Sequence, residues 1–358
     1  MRNSPLKVVD LFCGLGGMSA GIIDACLLNN KKAEIVLALD KDPHASAFYR
    51  KNFKNYLNEF IESDIQNLYT EIEPEYLANN NIDLLLAGPP CQGHSNLNNS
   101  TRRNDPRNQL YMETIEFIRR AKPLYFIIEN VPSVIHASEK VVDIAFEQLA
   151  KEGYIVKDIN IEFENLGVPQ KRKRHVMIGT FSTQSDILNF INESYKKYRP
   201  RTVKDAIEDL IGYPQATEFD KPSKMHSINV DRAKYLFVND LYDLPNNLRP
   251  KCHQKKHSYK SMYGRLYWDK PAQTITGGFG SMGQGRFLHP LEPRMITPRE
   301  AARIQGLPDW LDFSEVNSRT ALQQMIGNAV PSVLSFEFAN EIIKEIESGK
   351  DNKAKIRR

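Results

Sequence analysis

Position 91 holds the cysteine best placed for covalent chemistry. Cys91 follows Gly88-Pro89-Pro90 at the end of an apolar run, in the segment IDLLLAGPPCQGHS. Two prolines fix the local backbone and hence the direction of the side chain after them. A thiolate is intrinsically nucleophilic and suits attack on a weak electrophile. A buried cysteine is usually an inert small hydrophobe, but a polar loop rich in Gly and Pro gives this one little to pack against. Glu129 and Asn130 close the next apolar run, in LYFIIENVPS. A carboxyl group at that sheet edge can hold or donate a proton; it can equally cap the following turn.

A second group suits a bound nucleoside. VVDLFCGLGGMSAG runs from a strand through Gly14, Gly16 and Gly17 into a helix. Glycines let the backbone turn tightly and approach a ligand, and the helix start offers unpaired N–H groups. The spacing is not the GxGxxG of pyrophosphate binders, because position 19 is Ser. Asp40 closes the next apolar run, where an acidic side chain can take ribose hydroxyls. Asp64, in ESDI, is placed to accept from an adenine amino group. The plainer alternative is a generic glycine turn with surface acids.

These residues need a frame that brings strand ends together. Residues 7–12, 35–39, 82–87, 124–128, 154–159 and 176–181 are short runs of Val, Ile, Leu and Phe and read as buried strands. Helical patterns at 17–28, 108–120 and 139–152 lie between them. The alternation predicts an α/β fold, a doubly wound, mostly parallel sheet with helices on both faces. In such sheets chemistry sits at the carboxyl ends of the strands. The rhythm breaks near residue 186, and 186–290 carries more Pro, Tyr and basic residues, as a second, smaller domain would. Helical patterns return at 298–305 and 331–347. The expected division is 1–185 for the first domain, completed by a C-terminal helix at 325–348. The smaller domain takes 186–310 with a hinge at 291–324, and 349–358 is a basic tail.

The chain has 358 residues, 26% charged, with a net charge of +4. Three basic runs stand out: Arg102, Arg103 and Arg107; Lys171 to Arg174; and Arg249 to Arg265, interleaved with Tyr259, Tyr263 and Tyr267. One such run is often only a solvated face; three beside chemical motifs favour a polyanion. No stretch reaches the ~18 apolar residues of a membrane span, and the N-terminus lacks a signal-peptide layout, so the expected compartment is the cytoplasm, or the nucleus in a eukaryote. The four cysteines, Cys13, Cys26, Cys91 and Cys252, form no CxxC pair, so neither zinc nor a disulfide framework is expected. Cys252, His253 and His257 are close in sequence but too few at poor spacing for a metal.

DLFCGLGG, GPPCQGHS, ENVPS, GVPQKRKR, RMITPREAARIQGLPDW and IGNAVP follow one another at the order and approximate spacing of the blocks of DNA cytosine-5 methyltransferases. The chain resembles that family, of the bacterial modification type, over nearly its whole length. The resemblance implies a Rossmann-like, S-adenosylmethionine-dependent domain and a target-recognition domain acting on double-stranded DNA. It also implies a functional link to a restriction endonuclease and work at the nucleoid. By resemblance Cys91 is the nucleophile at carbon 6 of cytosine, Glu129 the group at ring nitrogen 3, and Arg172 and Arg174 the arginines that hold the base and loop. Phe12, Gly14, Leu15, Gly16, Asp40, Asp64, Pro89, Asn328 and Val330 match cofactor positions. Gln92, Ser95, Arg102, Arg103 and Arg107 lie in the loop expected to close on DNA, and Thr274 and Thr276 in the recognition region. Reaching a cytosine in a duplex requires flipping it out, at a cost of a few kcal/mol.

The departures from the family pattern are His94 where many members carry an aromatic residue, Asp40 where Glu is usual, and Lys41 where a bulky apolar residue is frequent. Rival readings are a tRNA cytosine methyltransferase, whose Cys-Phe-Thr signature is missing from the sequence, an inactive DNA-binding homologue, and a nicotinamide dehydrogenase, which needs another glycine pattern.

Overall fold

The computed structural model describes residues 4–72, 76–77, 80–90, 109–136, 140–181, 187–254 and 261–348. Cys91, Gln92, Ser95, Arg102, Arg103 and Arg107 lie outside the described residues, as does the tail 349–358. The strands are β1 Leu6–Leu11, β2 Ala33–Asp40, β3 Leu57–Glu62, β4 Leu84–Ala87, β5 Tyr125–Asn130, β6 Ile155–Glu162, β7 Gln170–Lys171, β8 Lys173–Thr180 and β9 Ala272–Gln273. They fall into two compact units.

The first unit comprises Met1–Glu162, Lys173–Tyr198 and Ser332–Arg358. Its seven-stranded sheet has the order β3-β2-β1-β4-β5-β8-β6. β1, β2, β3, β4 and β5 pair in parallel, and β8 runs antiparallel to both β5 and β6. From β1 the chain winds outward to β3, then returns to β4 on the other side of β1. This reversal is the switch point at whose carboxyl ends an open α/β sheet binds its ligand. β4 and β5 are buried throughout because helices cover both faces. Helix α1, Gly17–Leu28, packs against the C-terminal helix Val333–Ser348, and Ser335 Oγ donates to the Met18 carbonyl at 2.6 Å. The approach is close enough that a Cβ on Gly21 would lie 2.1 Å from the Ser332 carbonyl oxygen. Helix α2, Pro43–Phe53, starts where Asp42 accepts from the Ala45 amide at 2.9 Å.

Two strand readings need correction. β3, sequence LNEFIE, has a mostly polar, half-exposed edge and carries little apolar signal. The run at 154–159 is not a buried strand. Among the described residues β6 is an edge strand paired only with β8, and of its own residues only Ile161 is buried.

The second unit comprises Phe163–Arg172 and Arg199–Pro331. The two-stranded ladder β7–β9 ties its separate stretches together, with Gln170 opposite Ala272. Inside it, helix Pro298–Ile304 opens on a capping box between Thr297 and Glu300, with Pro298 at the first turn. Glu300 also holds Arg294 at 2.8 Å, and Arg299 pairs with Asp220 at 2.6 Å. The boundaries differ from those drawn on the sequence. Phe163–Arg172 joins the second unit through β7, residues 187–198 join the first, and the expected helix at 325–348 is two helices, Arg319–Asn328 and Val333–Ser348, one in each unit.

Candidate active site

At the carboxyl end of β1 the backbone turns through Phe12, Gly14 and Gly16, with φ of 56°, 54° and 85°. A left-handed conformation is unfavourable for most side chains, so Phe12 is held there by its surroundings. Gly16 has no room for a side chain, because a Cβ would stand 2.3 Å from the Phe53 ring and 2.9 Å from that of Tyr49. Gly14 is the opposite case, with nothing among the described residues within 4 Å of its Cβ direction. The turn is thus packed from one side at Gly16 and open at Gly14, while Leu15 is buried. Asp40, the last residue of β2, accepts from the Gly14 amide at 2.8 Å and the Asp42 amide at 2.9 Å. Burial raises its pKa, against the pull of those two amides. Asp64 follows β3, caps the short turn Ile65–Asn67 and pairs with Lys41 at 2.9 Å. That hydrogen bond to Lys41 lowers its pKa.

Asp10 is a further candidate that no motif spacing marks. Its side chain is fully buried on β1, and Oδ2 accepts from the Ser19 hydroxyl at 2.6 Å. Ser19 Oγ is also 2.6 Å from the Tyr49 hydroxyl. The available signal was a carboxylate inside an otherwise apolar strand run, a placement that needs a partner or a function.

The reactive end is assembled by β4 and β5. The Gly88 amide donates to the Leu11 carbonyl at 3.3 Å, and Asn130 Nδ2 donates to the Pro89 carbonyl at 3.3 Å. Asn130 is buried, and its own Oδ1 accepts from the Val131 amide at 2.8 Å. The chain is therefore pinned to the end of β5 two residues before position 91. Glu129 lies opposite Val176 in the antiparallel ladder with β8. Arg174, two residues before Val176, thus falls on the same face, and its Nε approaches Glu129 Oε1 to 2.7 Å. The N–H does not point along this line, so the contact is an ion pair rather than a directed hydrogen bond.

Arg172 is not part of that pair. It belongs to the second unit, 2% exposed, with Nη1 donating to the carbonyls of Ile275 and Gly327 at 3.2 and 3.4 Å. Thr274 Oγ1 donates to the Lys171 carbonyl at 2.7 Å, and Thr276 Oγ1 accepts from the Gly278 amide at 3.4 Å, both inside the second unit. Asn328 is exposed at the end of its helix and Val330 is buried, again in the second unit. Among the described residues no group of side chains could hold a metal ion, and no helix is long and apolar enough to cross a membrane.

Comparison with known proteins adds a family. Residues 6–344 match the family described as C-5 cytosine-specific DNA methylase. The chain is 43% identical over 355 residues to the Type II methyltransferase M1.BsuMI of Bacillus subtilis, covering 95% of this chain and 82% of that protein. It is 31% identical to the Type II methylase M.HgiDII of Herpetosiphon aurantiacus, with 95% and 96% covered. Among solved structures, a prophage-encoded DNA modification methyltransferase from E. coli aligns with a TM-score of 0.66 at 26% identity, covering 96% of this chain and 99% of that one.

Proposed function

The chain belongs to the C-5 cytosine-specific DNA methylase family and is a DNA (cytosine-5-)-methyltransferase of the restriction-modification type, and from that premise we propose how its residues divide the work. The methyl donor is S-adenosylmethionine, which supplies an electrophilic methyl on a sulfonium. The turn at Phe12–Gly16 fits such a ligand: it is open at Gly14 and flanked by carboxylates suited to hydroxyl and amino donors. Asp40 takes the ribose and shares its oxygens with the amides it already holds. Asp64 takes the adenine amino group. Phe12, Gly14, Leu15, Gly16 and Pro89 line this end.

The target cytosine is flipped out of the duplex, since a base inside the stack cannot be reached. Carbon 5 of cytosine is a poor nucleophile. Addition of the Cys91 sulfur to carbon 6 makes it enamine-like, able to take the methyl. Loss of the carbon 5 proton then expels the sulfur. Glu129 holds a proton at ring nitrogen 3 and so eases the addition, and Arg174 fixes the Glu129 carboxyl. Arg172 supports this indirectly by organising the second unit, the target-recognition domain, where Thr274 and Thr276 lie. Gln92, Ser95, Arg102, Arg103 and Arg107 contact DNA as the loop after Cys91 closes. The enzyme works in the cytoplasm, at the nucleoid, protecting sites from a cognate endonuclease.

The observation that carries this reading is the Glu129–Arg174 ion pair at the strand end next to the Pro89 carbonyl that Asn130 holds. Bisulfite sequencing of DNA from a host expressing the chain tests it. Protected cytosines in one sequence context are expected; a pattern equal to that of the empty host would reject it.

A further inference from the structure

A carboxyl group is sealed beneath the glycine turn with half of its hydrogen-bonding capacity unused. Asp10 lies on β1, 0% exposed, two residues before Phe12. One oxygen accepts from Ser19, whose hydroxyl meets that of Tyr49, so a chain of three polar groups links β1, α1 and α2. The other, Oδ1, is buried without a partner among the described residues. Among the described residues, the groups facing Asp10 are Ser19 from α1, Tyr49 from α2, Asp40 from β2 and Cys13 from the turn. None of them is a cation. Burial pushes the carboxyl up from 3.8 to about 7, Asp40 adds to the rise, and the hydroxyls of Ser19 and Tyr49 oppose it. Near neutral pH the group is thus divided between two protonation states. A positive charge brought to the turn favours the ionised one.

We propose that Asp10 is a buried counter-charge through which the turn distinguishes a sulfonium ligand from its uncharged thioether product. The cation drives the carboxyl to release its proton to solvent. Loss of that charge after methyl transfer lets the proton return, which weakens retention of product relative to donor. Asp10 acts through space and is a positioning residue, with no assigned contact to the ligand. The inference rests on the reading that this turn binds S-adenosylmethionine.

The test is isothermal titration calorimetry of the whole protein with S-adenosylmethionine and with S-adenosylhomocysteine, in buffers of different ionisation enthalpy. At pH 7 the donor should release up to about half a proton more than the product does. A carboxyl with a raised pKa is already ionised well above pH 7 and must ionise, at a cost, below it. The donor-to-product affinity ratio should therefore fall about three- to tenfold from pH 8.5 to pH 6. Asp10→Asn should abolish both effects. The ligand's own amino group exchanges the same protons with both proteins, so the difference between them isolates the carboxyl. Tyr49→Phe keeps the ring beside Gly16, removes a hydroxyl that lowers the Asp10 pKa, and should move the pH midpoint upward. That variant decides the matter if Asp10→Asn does not fold. Equal proton release with both ligands, release that survives Asp10→Asn, or an unmoved midpoint in Tyr49→Phe would overturn the proposal while leaving the cofactor reading intact. Failure of either ligand to bind the wild type would overturn both.

Discussion

Glu129 and Arg174 stand on adjacent antiparallel strands, two positions apart on one face, with 2.7 Å between Oε1 and Nε. Both are largely buried, so the guanidinium balances the charge of the carboxyl. Glu129→Gln preserves volume and removes the carboxyl group that can take up and give back a proton. Methyl transfer should fall by about 10²-fold or more, with cofactor affinity retained. A steady-state assay beside a cofactor titration checks this; parallel loss of both would mean a folding defect rather than a lost proton.

Cys91→Ser should abolish methyl transfer while duplex binding survives. The hydroxyl is a far weaker nucleophile than a thiolate. Filter binding and methyl incorporation on the same preparation separate the two properties. Full activity in the variant would remove Cys91 from the mechanism.

Gly16→Ala should destabilise the first unit by roughly 2 kcal/mol or more, from a left-handed residue and a Cβ forced against two rings. Thermal unfolding is the readout. Gly14→Ala meets none of the described residues, although its φ of 54° is still strained. It should cost about 1 to 2 kcal/mol, while cofactor binding suffers more than stability.

The sheet was legible where apolar runs are continuous. β1, β4 and β5 are buried on both faces, so their strand character and the placement of Glu129 follow from residue type. β3 and β6 lie at the two edges, where half the side chains face water and the apolar signal fades. Arg172 and Arg174 look equivalent in QKRKR, yet one is buried in the second unit and the other pairs with Glu129. A boundary between compact units passes between them, and no local pattern marks it.

Arg172 and Arg174 should therefore fail differently. Arg172→Ala leaves the Ile275 and Gly327 carbonyls without that donor and opens a cavity, so it should cost about 2 to 4 kcal/mol of stability. Arg174→Lys keeps the charge near Glu129 but loses the planar guanidinium. It should lower turnover about tenfold or more, with little change in melting temperature. Melting curves and turnover for both variants decide the matter.

Binding to duplex DNA should weaken steeply with salt, since the proposed phosphate contacts of the basic runs would release counterions. The slope of log affinity against log salt measures how many contacts form. Replacing Arg102 and Arg103 with Gln should lower that slope by about two. A flat response in the wild type would deny the backbone contacts.

The most direct measurement of the central claim uses a duplex carrying 5-fluorocytosine in the methylated context, incubated with the protein and S-adenosylmethionine. Fluorine at carbon 5 cannot leave as a proton does, so the sulfur cannot be expelled. A denaturation-resistant protein–DNA adduct is expected, with peptide mapping placing the bond on Cys91. No adduct, or an adduct on another residue, would contradict the account.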